Sequence, residues 1–156
     1  MSYVVTGLPV AEFRPLFGLS EEQLAEHGVI RMTADAPVGY PCRITLEDVA
    51  VGETVLLLNY EHLAVDTAYR SRHAIFVSEA ATQTRRAVDE LPGCLTSRPH
   101  IALRAFDDAG MMTQAQVLPG ADLEPVIARM FSDPQVAYLH AHNAGRGCFA
   151  ARIDRA

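Results

Sequence analysis

The sequence predicts an α+β fold in which a mainly antiparallel sheet packs against two to three helices. Apolar runs that suit strands outnumber the segments with helical periodicity, and most neighbouring runs are separated only by short turns, which favours antiparallel pairing. The chain has 156 residues, 49% of them hydrophobic and 21% charged. This length and composition are typical of one globular domain with its own core, so we assign residues 1–156 to a single domain.

Strand signals recur along the chain as short runs of β-branched, leucine or aromatic residues bounded by turn formers. These runs are YVVT (3–6), VIRMTA (29–34), RITL (43–46), TVLLLNYEH (54–62), RHAIFV (72–77), HIALRAF (100–106), MMTQAQV (111–117), YLHAH (138–142) and CFAAR (148–152). The turn sequence DDAG (107–110) joins two of these runs and predicts a hairpin.

Helix signals are fewer. A short helical stretch is expected around AEFRPLF, and Pro15 limits its length. Ser20 and Gln23 can form a capping box at the start of a second helix, which Gly28 would end. ADLEPVIARMFSD (121–133) places its large apolar residues on one stripe at helical spacing, and Pro134 follows it. Segment 79–99 fits either a short helix or a long loop.

The charge pattern excludes several classes of function. The formal net charge is −6, and all thirteen basic residues are arginines. We therefore expect no nucleic-acid partner and no attraction to an anionic membrane. Without lysine, neither Schiff-base chemistry nor a P-loop is available. No glycine-rich nucleotide fingerprint and no Gly-x-Ser-x-Gly elbow occurs either, so no cofactor is predicted.

The expected compartment is the cytoplasm. The opening sequence MSYVVTGLPVAEF lacks the features of an export signal, and no apolar run is long enough to cross a membrane. The three cysteines form no Cys-x-x-Cys pair, which argues against a disulfide scaffold or a zinc ribbon. A homodimer is the general expectation for a small cytoplasmic protein.

The last two predicted strands, YLHAH and CFAAR, carry an unusual set of polar groups. Joined by NAGRG as a hairpin, they would pair His142 with Cys148, His140 with Ala150 and Tyr138 with Arg152. Alternation then predicts an apolar face of Leu139, Ala141, Phe149, Ala151 and Ile153. The opposite face would carry Tyr138, His140, His142, Cys148 and Arg152. That face is either a solvated or partly buried structural surface or a functional site.

Three kinds of chemistry suit this face. Cys148 is a candidate nucleophile with His142 as its base, while Arg146 and the glycine-turn N–H groups hold an anion. Alternatively, His140 and His142 chelate a divalent metal, although two ligands do not make a site. In the third case the hairpin binds a small anion without turning it over. The catalytic candidates are His140, His142 and Cys148, and Asn143, Arg146 and Arg152 are candidate substrate-binding residues of the same hairpin.

Other polar residues are expected near this site. Asn59 and Tyr60 end a buried strand, and Arg72 and His73 begin the strand that returns beside it. We assign all four to substrate binding. Arg43 is a further candidate for binding a carboxylate or phosphate, because an arginine fork matches both groups.

The chain resembles a bacterial family of proteins known as domain-of-unknown-function family 1203. The resemblance extends over nearly the full length and is carried by GYPCR, LLLNYEH, RHAIFV, LRAFD followed by GMM, and YLHAHNAGRGC. It implies a small, stand-alone, single-domain cytoplasmic protein, and it brings no established activity, cofactor or catalytic residue.

The leading functional prediction is a bacterial cytoplasmic enzyme that acts on a small anionic metabolite through a site of histidine, cysteine and arginine side chains on the C-terminal hairpin. The alternatives are a non-catalytic ligand-binding or interaction protein and a metal-dependent enzyme that uses His140 and His142.

Overall fold

The computed structural model describes all 156 residues and has an α+β fold with two antiparallel sheets and four short α-helices. The strands are β1 (Tyr3–Thr6), β2 (Ile30–Thr33), β3 (Thr54–Leu63), β4 (Ser71–Ser78), β5 (Arg86–Val88), β6 (Ile101–Phe106), β7 (Met112–Leu118), β8 (Tyr138–Asn143) and β9 (Phe149–Arg155). The helices are α1 (Val10–Phe13), α2 (Glu21–Glu26), α3 (Gly93–Thr96) and α4 (Leu123–Phe131), with 3₁₀ turns at Arg14–Leu16 and Gly120–Asp122. The predicted fold class is confirmed.

The larger sheet has six strands in the order β5-β1-β9-β8-β6-β7. Helix α4 covers one of its faces, because the predicted apolar stripe places Leu123, Ile127, Met130 and Phe131 in the core. The opposite face carries the alternate side chains of β8 and turns toward the end of β3. The predicted hairpin of β6 and β7 is also confirmed.

The smaller sheet has three strands in the order β2-β3-β4. The side chains on one of its faces, among them Leu56, Leu58, Ile75 and Val77, are buried against helices α1 and α2. Helix α2 begins with the predicted capping box, in which the side chain of Ser20 and that of Gln23 each accept a backbone N–H of the other residue.

Two predictions about individual elements need correction. RITL (43–46) is a turn and not a strand, since the N–H of Leu46 donates to the carbonyl of Cys42 at 2.9 Å and Leu46 has a φ of 57°. Segment 79–99 contains both β5 and α3, so there are four α-helices where two to three were predicted. None of the helices has the length and apolar character needed to cross a membrane.

Candidate functional site

The C-terminal hairpin forms as predicted, but its register differs. His140 lies opposite Arg152 and Tyr138 opposite Asp154, two residues away from the predicted pairing. The register also shifts between Ala141 and His142, so that His142 lies opposite Phe149. A β-bulge of this kind inserts one extra residue into β9 and reverses the alternation of side chains beyond it.

The bulge exchanges the faces of Phe149 and Cys148. Phe149 was predicted in the core, but its ring lies among the imidazoles, with its centroid 4.9 Å from that of His140. Cys148 was predicted beside His142, but its sulfur accepts a hydrogen bond from Nδ2 of Asn143 at 3.4 Å and none from His142. The predicted pairing of Cys148 with His142 is therefore wrong.

Cys148 instead lines a cavity of about 560 Å³, which we call the arginine cavity. Four parts of the chain surround this space: one face of the smaller sheet, residues 39–43, residues 98–100 and the turn of the C-terminal hairpin. The lining residues are Met32, Gly39, Pro41, Arg43, Leu57, His73, Ala74, Phe76, Arg98, Pro99, His100, Asn143, Ala144, Gly145, Arg146 and Cys148. None of them is an aspartate or a glutamate.

Arg43 is the most deeply placed cation of the arginine cavity. Only 2% of the residue is exposed, and its Nε and Nη1 atoms donate to the carbonyls of Phe149 and Pro41, each at 2.7 Å. No carboxylate forms an ion pair with it. Burial lowers the pKa of Arg43 and the adjacent Cys148 opposes this shift, but a guanidinium stays protonated in a protein. Arg43 is thus a buried positive charge without a counter-ion.

Two further arginines contribute positive charge. Arg98 is paired with Asp48 at 2.8 Å, so part of its charge is compensated. Arg146 is exposed on the hairpin turn and forms no ion pair. The backbone N–H groups of Gly145 and Arg146 donate to no acceptor in the chain. This side of the cavity therefore offers several donors that suit a carboxylate or a phosphate.

The two catalytic histidine candidates lie outside the arginine cavity, in a histidine cluster made of His62, His140, His142 and Phe149. His62 is partly buried and the other three residues are buried. Their ring centroids are 4.9 to 6.2 Å apart. Burial is the main cause that lowers the pKa of His140 to about 2, that of His142 to about 3 and that of His62 to about 4. All three imidazoles are consequently neutral near pH 7.

One imidazole connects the histidine cluster to the arginine cavity. Nδ1 of His142 lies 3.0 Å from the carbonyl oxygen of Gly147, and because a carbonyl only accepts, Nδ1 carries the proton. This bond holds the turn that presents Arg146. Nδ1 of His62 and Nδ1 of His140 are buried without a partner. No group of three or more histidine, cysteine or acidic side chains is arranged to hold a metal ion.

The other predicted residues divide into two groups. His73, Asn143 and Arg146 line the arginine cavity together with Cys148. The remaining four lie outside its lining and have partners of their own. Arg72 binds Asn59 at 2.6 Å, Tyr60 binds Glu12 at 2.8 Å, and Arg152 binds Asp154 at 2.7 Å and covers the ring of Tyr138.

Sequence reasoning missed Arg98 and His100. Both lie in or next to segment 79–99, where no regular pattern was recognised, and they reach the cavity only because of how α3 and the following turn pack. The one available signal was the arginine and the histidine on either side of Pro99, just before strand β6.

Comparison with known proteins gives one match. No curated protein and no solved structure matches this chain. The model of the family described as "Protein of unknown function (DUF1203)" matches residues 39–155, which include every residue of the arginine cavity except Met32. That match covers most of the 156 residues, and the chain therefore belongs to the DUF1203 family.

Proposed function

We propose that the protein binds a small anionic molecule in the arginine cavity. The observation that carries the proposal is Arg43, a buried guanidinium that faces a cavity and has no carboxylate partner. A buried charge without a counter-ion is costly, and an anion in the cavity would remove that cost. A carboxylate or a phosphate suits the planar donors of a guanidinium.

The hairpin turn supports the same proposal. Arg146 and the free N–H groups of Gly145 and Arg146 approach the cavity from the side of Cys148, and the amide of Asn143 lies there too. Successive backbone N–H groups in a turn form concavities that bind anions. A ligand held between Arg43 and this turn would be contacted from two directions.

The test is calorimetric titration of the protein with inorganic phosphate, acetate and larger carboxylates, supported by thermal shifts. At a ligand concentration of about 100 times Kd, binding stabilises the folded state by about 2.7 kcal/mol. Arg146→Gln should weaken binding by about 10-fold or more, because a charge-assisted hydrogen bond is lost. Arg86→Gln is the matched control, since Arg86 is exposed on strand β5 and outside the cavity.

Arg43→Gln should remove binding altogether. This variant also loses two hydrogen bonds to backbone carbonyls, so its fold is checked by circular dichroism before titration. If the Arg43 variant does not fold, Arg146→Gln still tests the proposal, because Arg146 is exposed and its substitution leaves the core intact. The proposal fails if no phosphate or carboxylate binds, or if Arg146→Gln and Arg86→Gln bind with the affinity of the unmodified protein.

A second candidate function is an enzyme in which the sulfur of Cys148 attacks an electrophilic carbon of the bound anion. A bond forms between sulfur and carbon while the bond from that carbon to its leaving group breaks, and the leaving group departs with the electron pair. It is favoured by the position of Cys148, which is the one catalytic candidate that lines the arginine cavity and lies next to Arg43. The guanidinium of Arg43 would hold an anionic substrate beside this sulfur. The catalytic roles of His140 and His142 stay predictions. Attack by Cys148 requires neither histidine to contact the substrate.

Alkylation by iodoacetate tests the second candidate, because this reagent is itself a small carboxylate. Cys148 and Cys94 are 8% and 7% exposed, so Cys94 is a control for burial. Peptide mass spectrometry should find Cys148 modified much faster than Cys94, and faster by iodoacetate than by neutral iodoacetamide. Equal rates at the two cysteines would show that Cys148 is structural.

A further inference from the structure

We infer that the anion bound in the arginine cavity is an organic acid with an apolar body, such as an arylalkanoate, and not a small inorganic anion. This inference rests on the proposed function and adds the chemistry of the rest of the ligand. It is carried by the wall of the cavity that the smaller sheet provides.

The apolar wall consists of Met32, Leu57, Ala74 and Phe76, which all lie on one face of the smaller sheet. Leu57 and Phe76 are direct cross-strand partners, and Ala74 follows Phe76 on the same side of β4. The residues that alternate with these along β3 and β4 point to the other face of the sheet, where they are buried under helices α1 and α2. The open face of a two-layer antiparallel sheet is normally polar, whereas here it is apolar where it meets the cavity.

No helix or strand covers this wall, and the cavity is the space in front of it. A volume of about 560 Å³ lies within the range typical of sites for drug-sized ligands. Phosphate or acetate would fill a small part of that space and would leave the apolar wall in contact with water. An apolar body of six to ten carbon atoms would cover it.

The cavity is therefore polar at one end and apolar at the other. Arg43 is close to the wall, because its backbone N–H donates to the carbonyl of Phe76 at 3.0 Å. An acid group bound by Arg43 would thus carry its attached chain directly onto the ring of Phe76 and the side chain of Leu57. Ligand sites commonly combine a mostly apolar lining with a few polar groups that set the orientation.

The test compares 3-phenylpropanoate, acetate, inorganic phosphate and the neutral 3-phenylpropanamide by calorimetric titration. We expect 3-phenylpropanoate to bind at least about 30-fold more tightly than acetate, because the ring and two methylenes leave water. The neutral amide should bind at least about 10-fold more weakly than the acid, because it lacks the charge that Arg43 compensates.

Met32→Gln tests the wall itself. It should lower the affinity for 3-phenylpropanoate at least about 3-fold and leave the affinity for acetate unchanged. Ile30→Gln is the matched control, because Ile30 lies on the same edge strand, is 59% exposed and does not line the cavity.

The outcomes separate this inference from the proposed function. If acetate or phosphate binds as tightly as 3-phenylpropanoate, or if Met32→Gln leaves the ratio of affinities unchanged, the inference about the apolar body is wrong and anion binding stands. If the amide binds as tightly as the acid, anion recognition is wrong. If none of the four compounds binds, both are wrong.

Discussion

Acidification from pH 7 to pH 5 should destabilise this protein strongly, because two buried histidines resist protonation. His140 and His142 are both buried, and burial lowers their pKa values to about 2 and about 3. In the unfolded chain an imidazole has a pKa of about 6.5. Between these values the unfolded state binds more protons than the folded state, so stability decreases as the pH falls through this range.

The magnitude follows from the same pKa values. Each histidine costs about 2 kcal/mol of unfolding free energy between pH 7 and pH 5, and the two together cost about 4 kcal/mol. For a domain of this size such a loss lowers Tm by roughly 8–16 °C. His62 adds to the effect in the same direction, since burial lowers its pKa as well.

Urea unfolding at pH 7, 6 and 5 measures this dependence. In His140→Phe the loss between pH 7 and pH 5 should be smaller by about 2 kcal/mol, because one of the resisting imidazoles is gone. Phenylalanine suits a site surrounded by the rings of Phe106, Tyr138 and Phe149. His27→Gln, at an exposed position, should keep the pH dependence of the unmodified protein. The reasoning is refuted if His140→Phe retains that full dependence as well.

Three further predictions concern single substitutions. His142→Phe removes the hydrogen bond that holds the hairpin turn and should raise the Kd of a bound carboxylate by roughly 5- to 10-fold in calorimetry; an unchanged Kd would contradict the role given to this bond. Ser20→Ala removes the cap of α2 and should lower the unfolding free energy by about 1 kcal/mol in urea. Gly120→Ala places a Cβ about 2.0 Å from the carbonyl oxygen of Leu95 and should lower the free energy of unfolding by about 3 kcal/mol. In Gly93→Ala the added Cβ has no atom within 4 Å, so the free energy of unfolding should change by no more than about 1 kcal/mol. Equal losses in the two glycine variants would refute the packing argument.

Much of the fold was predictable because local signals and tertiary packing agree. The capping box at Ser20, the apolar stripe of α4 and the alternating runs of β3, β4 and β6 each specify an element without help from the rest of the chain. The turn at residues 43–45 was not predictable, because RITL has strand-forming residues and only its packing makes it a turn.

The site was predicted only in part, for a specific physical reason. Alternation along β8 correctly placed His140 and His142 on one face, with Arg152 beside them. A single extra residue in β9 places Cys148 away from the histidines. The sequence CFAAR contains no signal that predicts this bulge. The apolar wall could not be predicted from the sequence either, because leucine and phenylalanine, found at positions 57 and 76, are also the residue types of ordinary core positions.

A crystal structure of the protein grown with 3-phenylpropanoate would test the central claim most directly. The account predicts the carboxylate within about 2.7–3.2 Å of the guanidinium of Arg43 or the turn at Arg146, and the ring against Phe76 and Leu57. Density for the ligand elsewhere on the surface, with Arg43 still unpaired in crystals grown at a saturating ligand concentration, would contradict it.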